Sequence, residues 1–277
     1  MSESPLAESD EITRIVETSE RYLWIEMMRR VPEDIARDNG VEVRDFSGAA
    51  GFTFKTVPHW TLNRVLDLGY QKPASQDQIN DIVDFYQSRN LPVGVSLIPH
   101  AQPPEAVGWL LKKGFELQNV WAKMYRDNSP IKARQINLNI IELGKNEADD
   151  FARVMCEGFG MPIHCAPVFA AHSDIPANHV FGVIEGDRII AVGVLTMVDG
   201  IGHLNSMTTL EAWRGRGIQG ALFEHSINEG IKLGCKWFAT ETGLLPDQVN
   251  HSYNNMVRSG FRMAYERPNY VRQAVKQ

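Results

Sequence analysis

The stretch WRGRGIQGAL, Trp213 to Leu222, constrains the fold of this chain more than any other. Gly215, Gly217 and Gly220 stand in a G-x-G-x-x-G spacing. An apolar helical stripe begins among them: Ile218, Leu222, Phe223, Ile227 and Ile231, with Gly234 as its stop. Glycines allow a tight turn and a close backbone approach, and a helix start supplies unpaired N–H groups and a positive dipole end. The stretch therefore reads as a phosphate-holding helix start, and the segments before it decide which fold carries it.

Those segments read as an antiparallel meander. HVFGVIEGDRIIAVGVLTMVDG is a hairpin around Glu185-Gly186-Asp187, and IGHLNSMTTL continues it after Asp199-Gly200. Ahead of the hairpin stand a strand, INLNIIEL, a helix, EADDFARVMCEGFG, with Phe151, Val154, Met155 and Phe159 at helical spacing, and a short second helix, PVFAAHSD. After the glycine stretch come the strand CKWFATET, the helix SYNNMVRSG and the strand FRMAYERPNYV.

A pyrophosphate on this helix start could belong to a dinucleotide or to an acyl-coenzyme A. For the dinucleotide speaks Glu241, placed 21 residues past Gly220, where a ribose-binding acid is expected. Against it, LEAWR separates the preceding strand from Gly215, the strands join by tight turns and not helical crossovers, and only 57 residues follow Gly220. A glycine pattern out of its context is weak, so an NAD(P)-dependent oxidoreductase stays a distant alternative.

The stretch and its surroundings resemble the GNAT superfamily of acyl-CoA N-acyltransferases. Its phosphate-loop pattern, [QR]-x-x-G-x-[GA], falls on Arg214, Gly217 and Gln219; Gln219 departs from the usual Gly or Ala, and Gly220 follows at once. The resemblance covers Ile136 to about Arg272 and implies an acetyl-CoA-dependent N-acetyltransferase. It implies that coenzyme A lies on Arg214, Gly215, Arg216, Gly217, Ile218, Gln219 and Gly220, with the pantetheine arm along Met207, Thr208 and Thr209 and a further contact at Asn255. His203 and Asn205 share one face of their strand. They fill the strand positions where some members carry histidines, so His203 and Glu241 are the candidate bases. Many members place a proton-donating Tyr four residues before the Gly-Phe pair. Here that position is Met256, which leaves Tyr253, on nearly the same helical face, as the candidate acid. Met256 also keeps a second function open, that of a non-catalytic acyl-CoA-binding or regulatory protein. Other readings compete residue by residue. His203 stands just after Gly200 and Gly202, as a surface histidine near a turn would, Glu241 could be a structural carboxylate, and Asn250 or Ser252 would cap the last helix.

The N-terminal half repeats part of this order. VGWLLKKGFELQNVWAKMYR and YNNMVRSGFRMAYERPNYVR align without gaps on Gly114-Phe115 and Gly260-Phe261. Upstream, HWTLNRVLDLG is strand-like, QDQINDIVDFYQSRN helix-like and LPVGVSLIP strand-like; 51 residues separate Asn63 from Gly114, and 55 separate Asn205 from Gly260. YQKPASQDQI stands where the other copy has WRGRGIQGAL, without its glycines. The expected architecture is α/β (α+β): two GNAT-like halves, each a mixed, mostly antiparallel sheet flanked by helices. Residues 1–130 form the degenerate half and residues 131–277 the acetyl-CoA-binding domain, joined by the polar segment RDNSPIKARQ (Arg126 to Gln135).

Composition narrows the partners. A formal charge of −6 and the lack of any basic run argue against nucleic acid. No apolar run approaches the roughly 20 residues of a membrane span. Cys156, Cys165 and Cys235 are an odd set without repeating spacing, and no His/Cys spacing suggests a metal, so the chain is expected in the cytoplasm with reduced thiols. The acceptor would be a primary amine of a small molecule or peptide, and a homodimer is compatible with all of this. His164-Cys165 falls in the loop where the family shapes its acceptor pocket. Trp60, Trp109 and Trp121 read as core.

Overall fold

The computed structural model describes residues 5–131, 136–244 and 250–274. In chain order the elements are α1 (Pro5–Arg29), α2 (Glu33–Asn39), β1 (Val41–Phe46), β2 (Ala49–Phe54), β3 (Arg64–Leu66), α3 (Gln76–Gln87), β4 (Val93–Ser96), α4 (Ala106–Lys112) and β5 (Glu116–Asp127). They continue with β6 (Asn139–Glu142), α5 (Ala148–Phe159), α6 (Ala166–Ala170), β7 (Asn178–Glu185), β8 (Arg188–Val198), β9 (Ile201–Thr209), α7 (Ile218–Lys232), β10 (Trp237–Gly243), α8 (His251–Arg258) and β11 (Arg262–Arg272). Of the linker segment, residues 132–135 lie outside the described residues.

The chain divides into two compact units, one of Met1–Arg30 with Lys123–Ala264, the other of Val31–Ala122 with Tyr265–Gln277. The sequence reading placed a single boundary at 130/131; the chain instead passes between units three times.

In the first unit the strand order is β5-β10-β9-β8-β7-β6. β6 to β9 pair antiparallel in sequence order, and β10 joins β9 parallel, giving the mixed, mostly antiparallel sheet expected. The β8–β9 hairpin turns on Asp199 (φ 51°) and Gly200 (φ 75°). Two successive left-handed residues twist the turn the way the strands already twist, which fixes the register. α5 buries Phe151, Val154 and Met155 as its spacing predicts, whereas Phe159, in its last turn, stays 52% exposed. α1 packs on β8, β9 and β10. Its buried side includes Ile15, Val16, Leu23 and Met27 and also Thr13, Glu17 and Glu20. This helix was not read from the sequence.

In the second unit β1-β2-β3-β4-β11 form the sheet, with β3 parallel to β4 and the other pairs antiparallel. Its core is Phe46, Val65, Ile79, Ile82, Tyr86, Val95, Leu110 and Phe115, held around α3 and α4. The strand-like reading of HWTLNRVLDLG is corrected. Only Arg64–Leu66 is strand, and Trp60–Leu62 is a 3₁₀ turn capped by His59. The Asn63 side chain causes this: it donates to the carbonyls of Val57 and His59 and accepts from the Phe54 N–H, pinning the segment into a loop. Trp60 is buried, 5.9 Å from Trp121 between ring centres.

Candidate active site

The glycine loop of the first unit sits where two strands part. β9 and β10 pair only at Ile201–Trp237, Gly202–Phe238 and His203–Ala239, yet β9 runs on to Thr209 and β10 to Gly243. Beyond His203 the β10-facing edge of β9 therefore has no ladder; side chains take some of its carbonyls, that of Leu204 accepting from the Thr240 hydroxyl and that of Thr209 from Arg214. A bulge accompanies the parting. Val192 faces Thr208 and Val194 faces Asn205, so Ser206 and Met207 together oppose Gly193, and Ser206 takes a left-handed φ of 52°. A 3₁₀ turn, Glu211–Trp213, then leads into the loop.

Gly215 (φ 78°) and Gly217 (φ 77°) both adopt the left-handed conformation that a side chain would strain. Gly217 is the N-cap of α7 and offers no side chain to the helix's first N–H groups. No side chain caps these donors. Of the two arginines, Arg214 donates to the carbonyls of Thr209 (3.0 Å) and Gly158 (3.0 Å), so it ties the loop to β9 and α5. Arg216 donates to the Ala212 carbonyl and lies 4.5 Å over the Trp213 ring. Ile218 is buried, and Gln219 accepts from Asn255 on α8 at 2.9 Å. Thr208 and Thr209 are buried, and the Thr209 hydroxyl oxygen has no hydrogen-bond partner. Gly158 was not picked out from the sequence. A Cβ there would collide with Thr208, so α5 can approach β9 this closely only through a glycine.

Deeper in the parting lies a buried charge cluster. Lys123 Nζ contacts Glu20 Oε2 at 2.7 Å and Glu241 Oε2 at 2.9 Å, and His203 Nε2 stands 3.1 Å from the same Glu241 oxygen. The side chains of Lys123, Glu20 and His203 are fully buried; Glu241 keeps 13% exposure. Burial and the Glu20 carboxylate raise the pKa of Glu241, but the Lys123 ammonium and the His203 hydrogen bond outweigh them and hold it below the usual range. An ionised Glu241 accepts, so His203 Nε2 donates to it, and Nδ1 is buried without a partner. The surface reading of His203 is thereby corrected: the residue stands only three positions past Gly200, but it is fully buried and α1 packs on that part of the sheet.

Neither Glu20 nor Lys123 was read as a site residue. The signal existed, since Thr13, Glu17 and Glu20 recur on one helical face and Lys123 stands between Ala122 and Met124 in a strand. Asn205 Nδ2 donates to Thr196 and to the His203 carbonyl, leaving its Oδ1 buried and unpaired. Asn250 caps α8 by accepting from the Tyr253 N–H, as one reading had it. Tyr253 is half-buried, and Met256 is 2% exposed, part of the core. His164-Cys165 forms a 3₁₀ turn with Cys165 buried; all three cysteines are free, and burial pushes their thiols up to about 11. Among the described residues no group of three or more His, Cys, Asp or Glu side chains could hold a metal ion, and no helix is long and apolar enough to cross a membrane.

The family model of the Acetyltransferase (GNAT) family matches residues 149–248. That span holds β9, the glycine loop, β10 and Glu241. Among solved structures, a GCN5-related N-acetyltransferase from Kribbella flavida is similar with a TM-score of 0.61 at 11% identity, over 83% of this chain and 89% of that one. A GCN5-related N-acetyltransferase from Sphaerobacter thermophilus is similar at 0.60 and 12% identity, over 88% of this chain and 86% of that one. A tandem GNAT protein from the clavulanic acid biosynthesis pathway reaches 0.60 at 10% identity, over 83% of this chain and 79% of that one. At these identities the likeness is one of fold. No curated protein matches the sequence.

Proposed function

We propose, from the premise that residues 149–248 form an acetyltransferase domain of the GNAT family, that this protein moves an acetyl group from acetyl-CoA to a primary amine of a small molecule or peptide. The amine attacks directly, with both substrates bound. The observation that carries the proposal is the parting of β9 from β10 beside an uncapped helix N-terminus.

The residues suit the donor. The N–H groups at the start of α7, from Ile218 to Gly220, would receive the pyrophosphate, with the helix dipole behind them. Gly215 and Gly217 let the backbone come close. The unladdered edge of Met207, Thr208 and Thr209 would pair with the amide groups of the pantetheine arm. Arg214 and Arg216 add positive charge and also brace the loop, Arg214 through the carbonyls of Thr209 on β9 and Gly158 on α5, Arg216 through that of Ala212. Gln219 and Asn255 brace α7 against α8 through their mutual bond.

The acceptor side favours an amine. His203 Nδ1 and Asn205 Oδ1 are two unpaired buried acceptors on one face of β9. An amine carries the N–H donors they lack. The N–H proton passes to His203 Nδ1, and the charge that forms on the imidazole is balanced by the Glu241 carboxylate at Nε2. Bound geometry supplies much of the remaining rate by orientation. Tyr253 is the hydroxyl on α8 for protonating the departing thiolate, which at a thiol pKa of about 8.5 also leaves unassisted. Three buried, unpaired cysteines support a reducing, cytoplasmic setting. The second reading, a non-catalytic acyl-CoA binder, draws on Met256, which is buried where an acid would stand.

The test is a thermal shift with acetyl-CoA, coenzyme A and NAD(P) on the wild type and Gly217→Asp. At 100 times its dissociation constant acetyl-CoA stabilises the wild type by about 2.7 kcal/mol. The variant, carrying a negative charge and a side chain at a left-handed position, shows no shift. Stabilisation by NAD(P) alone would overturn the assignment; binding without turnover across an amine panel would select the second reading.

A further inference from the structure

A second polar chain runs on the same face of the sheet and ends at the bulge. His172 Nδ1 lies 3.2 Å from Asn178 Nδ2, and Asn178 Nδ2 also donates to the His172 carbonyl at 3.0 Å. Thr196 donates to Asn178 Oδ1 at 2.7 Å, and Asn205 Nδ2 donates to Thr196 at 3.0 Å. His172 Nε2 stands 3.2 Å from Ser206 Oγ. The direction of every bond in this chain follows from one constraint. Only the amide nitrogen of Asn178 can face a carbonyl, so it also faces His172 Nδ1, which must accept. His172 is 1% exposed, and burial pushes its pKa down to about 3, so the ring is neutral with its one proton on Nε2. That proton goes to Ser206 Oγ.

Ser206 is therefore an acceptor toward His172, and its own hydroxyl proton is left to point elsewhere. The arrangement is the reverse of a serine nucleophile with a histidine base, in which the histidine would accept. It presents an O–H donor on a half-buried residue whose backbone is left-handed. The position has a meaning if acetyl-CoA lies as proposed above, an assignment on which this inference rests. With the phosphates at the start of α7 and the pantetheine arm along Thr209 to Met207, the thioester falls at the next residue, Ser206.

We propose that the Ser206 hydroxyl, oriented by His172, is a hydrogen-bond donor to the carbonyl oxygen of the acyl thioester. As the amine nitrogen forms its bond to the carbonyl carbon, the carbonyl π pair moves onto oxygen, where the Ser206 O–H stabilises it. The pair returns, the C–S bond breaks, and coenzyme A leaves with the electrons as thiolate. The nitrogen's proton goes to His203. Ser206 keeps its own proton throughout, since an alcohol is a far weaker acid than a thiol.

The experiment reads the carbonyl itself and needs no acceptor. Acetyl-CoA labelled with 13C at the carbonyl is bound to the wild type, Ser206→Gly and Ser206→Ala, and the isotope-edited infrared band is compared. Glycine suits the left-handed backbone, and alanine guards against a collapse peculiar to glycine. The band is expected at lower frequency in the wild type than in both variants. S-ethyl coenzyme A, which has no carbonyl, is expected to bind all three equally by calorimetry. With an acceptor in hand, kcat falls about 100-fold in both variants while KM for acetyl-CoA is unchanged. An identical band in the three proteins would overturn the role of Ser206. Failure of acetyl-CoA to bind the wild type is a separate result, which overturns the donor assignment beneath it.

Discussion

The helix that follows the glycine loop in the first unit and its counterpart in the second begin in opposite ways. α3 opens on Ser75, whose hydroxyl accepts from the Gln78 N–H at 3.1 Å, while Gln78 Oε1 accepts from the Ser75 N–H at 3.4 Å. This capping box satisfies the donors that a helix start leaves over. α7 opens on Gly217 and satisfies none of them by a side chain. The asparagines that head the two aligned segments differ in the same sense. Asn63 in the second unit uses both ends of its amide on backbone groups, whereas Asn205 leaves Oδ1 unpaired. The strands differ too: Arg64–Leu66 is three residues long and paired on both sides, whereas Ile201–Thr209 bulges and loses its partner halfway. Two chain segments of similar order thus diverge in their open valences. In the second unit Asn63 and the start of α3 are satisfied within the chain; in the first, Asn205 Oδ1 and the start of α7 are left without side-chain partners, which costs stability.

The contrast is easiest to break at the buried cation. Lys123→Met leaves the carboxylates of Glu20 and Glu241 in the interior without their ammonium. Urea unfolding is expected to show a loss of about 3–5 kcal/mol. A loss comparable to that of an ordinary surface substitution would mean that the cluster is wet and is no part of a preorganised site.

Acid sharpens the contrast next. The folded pKa of His172, about 3, lies below its ordinary value of 6.5, so the unfolded chain takes up the proton first. Its contribution is complete above the unfolded value and is lost as pH falls from about 6.5 toward 3, at up to about 1.4 kcal/mol per pH unit. Glu241, also depressed, adds a loss of the same sign below its ordinary 4.5. The paired groups of the second unit singled out above, Asn63 and Ser75, do not titrate. Amide hydrogen exchange between pH 7 and 5 should therefore loosen β7 to β9 before α3, and His172→Gln should flatten the difference. Equal loosening of both units would contradict it.

The smallest effect belongs to the second unit alone. Ser75→Ala removes the cap of α3 and is expected to cost about 1 kcal/mol. The thermal shift produced by acetyl-CoA should not change, because the cap serves only its own helix. A reduced shift would show that the second unit takes part in donor binding.

Sequence periodicity and turn chemistry were sufficient for the elements from Ile136 onward. The hairpin, β9, α7, α8 and the glycine loop were all legible, because each depends on spacing within a dozen residues or so. The Arg214–Gly220 loop was legible for that reason, while His203 and Glu241 entered as candidates from their strand positions and the resemblance to the GNAT superfamily. α1 escaped, since its buried face mixes Ile15, Val16 and Leu23 with Thr13, Glu17 and Glu20 and so carries no clean apolar stripe. With it went the partner of Lys123, which lies 103 residues from Glu20 along the chain.

By itself, then, the sequence determined the helix start, its missing side-chain cap and the antiparallel strands that lead into it, all local properties of the chain. Only the tertiary structure decided which polar groups remain unpaired. Whether His203 Nδ1, Asn205 Oδ1 or the Ser206 proton is free depends on what Glu241, Thr196 and His172 already hold, and those partners come from distant segments. A residue's type states what bonds it can make; only packing states which of them are left over for a substrate.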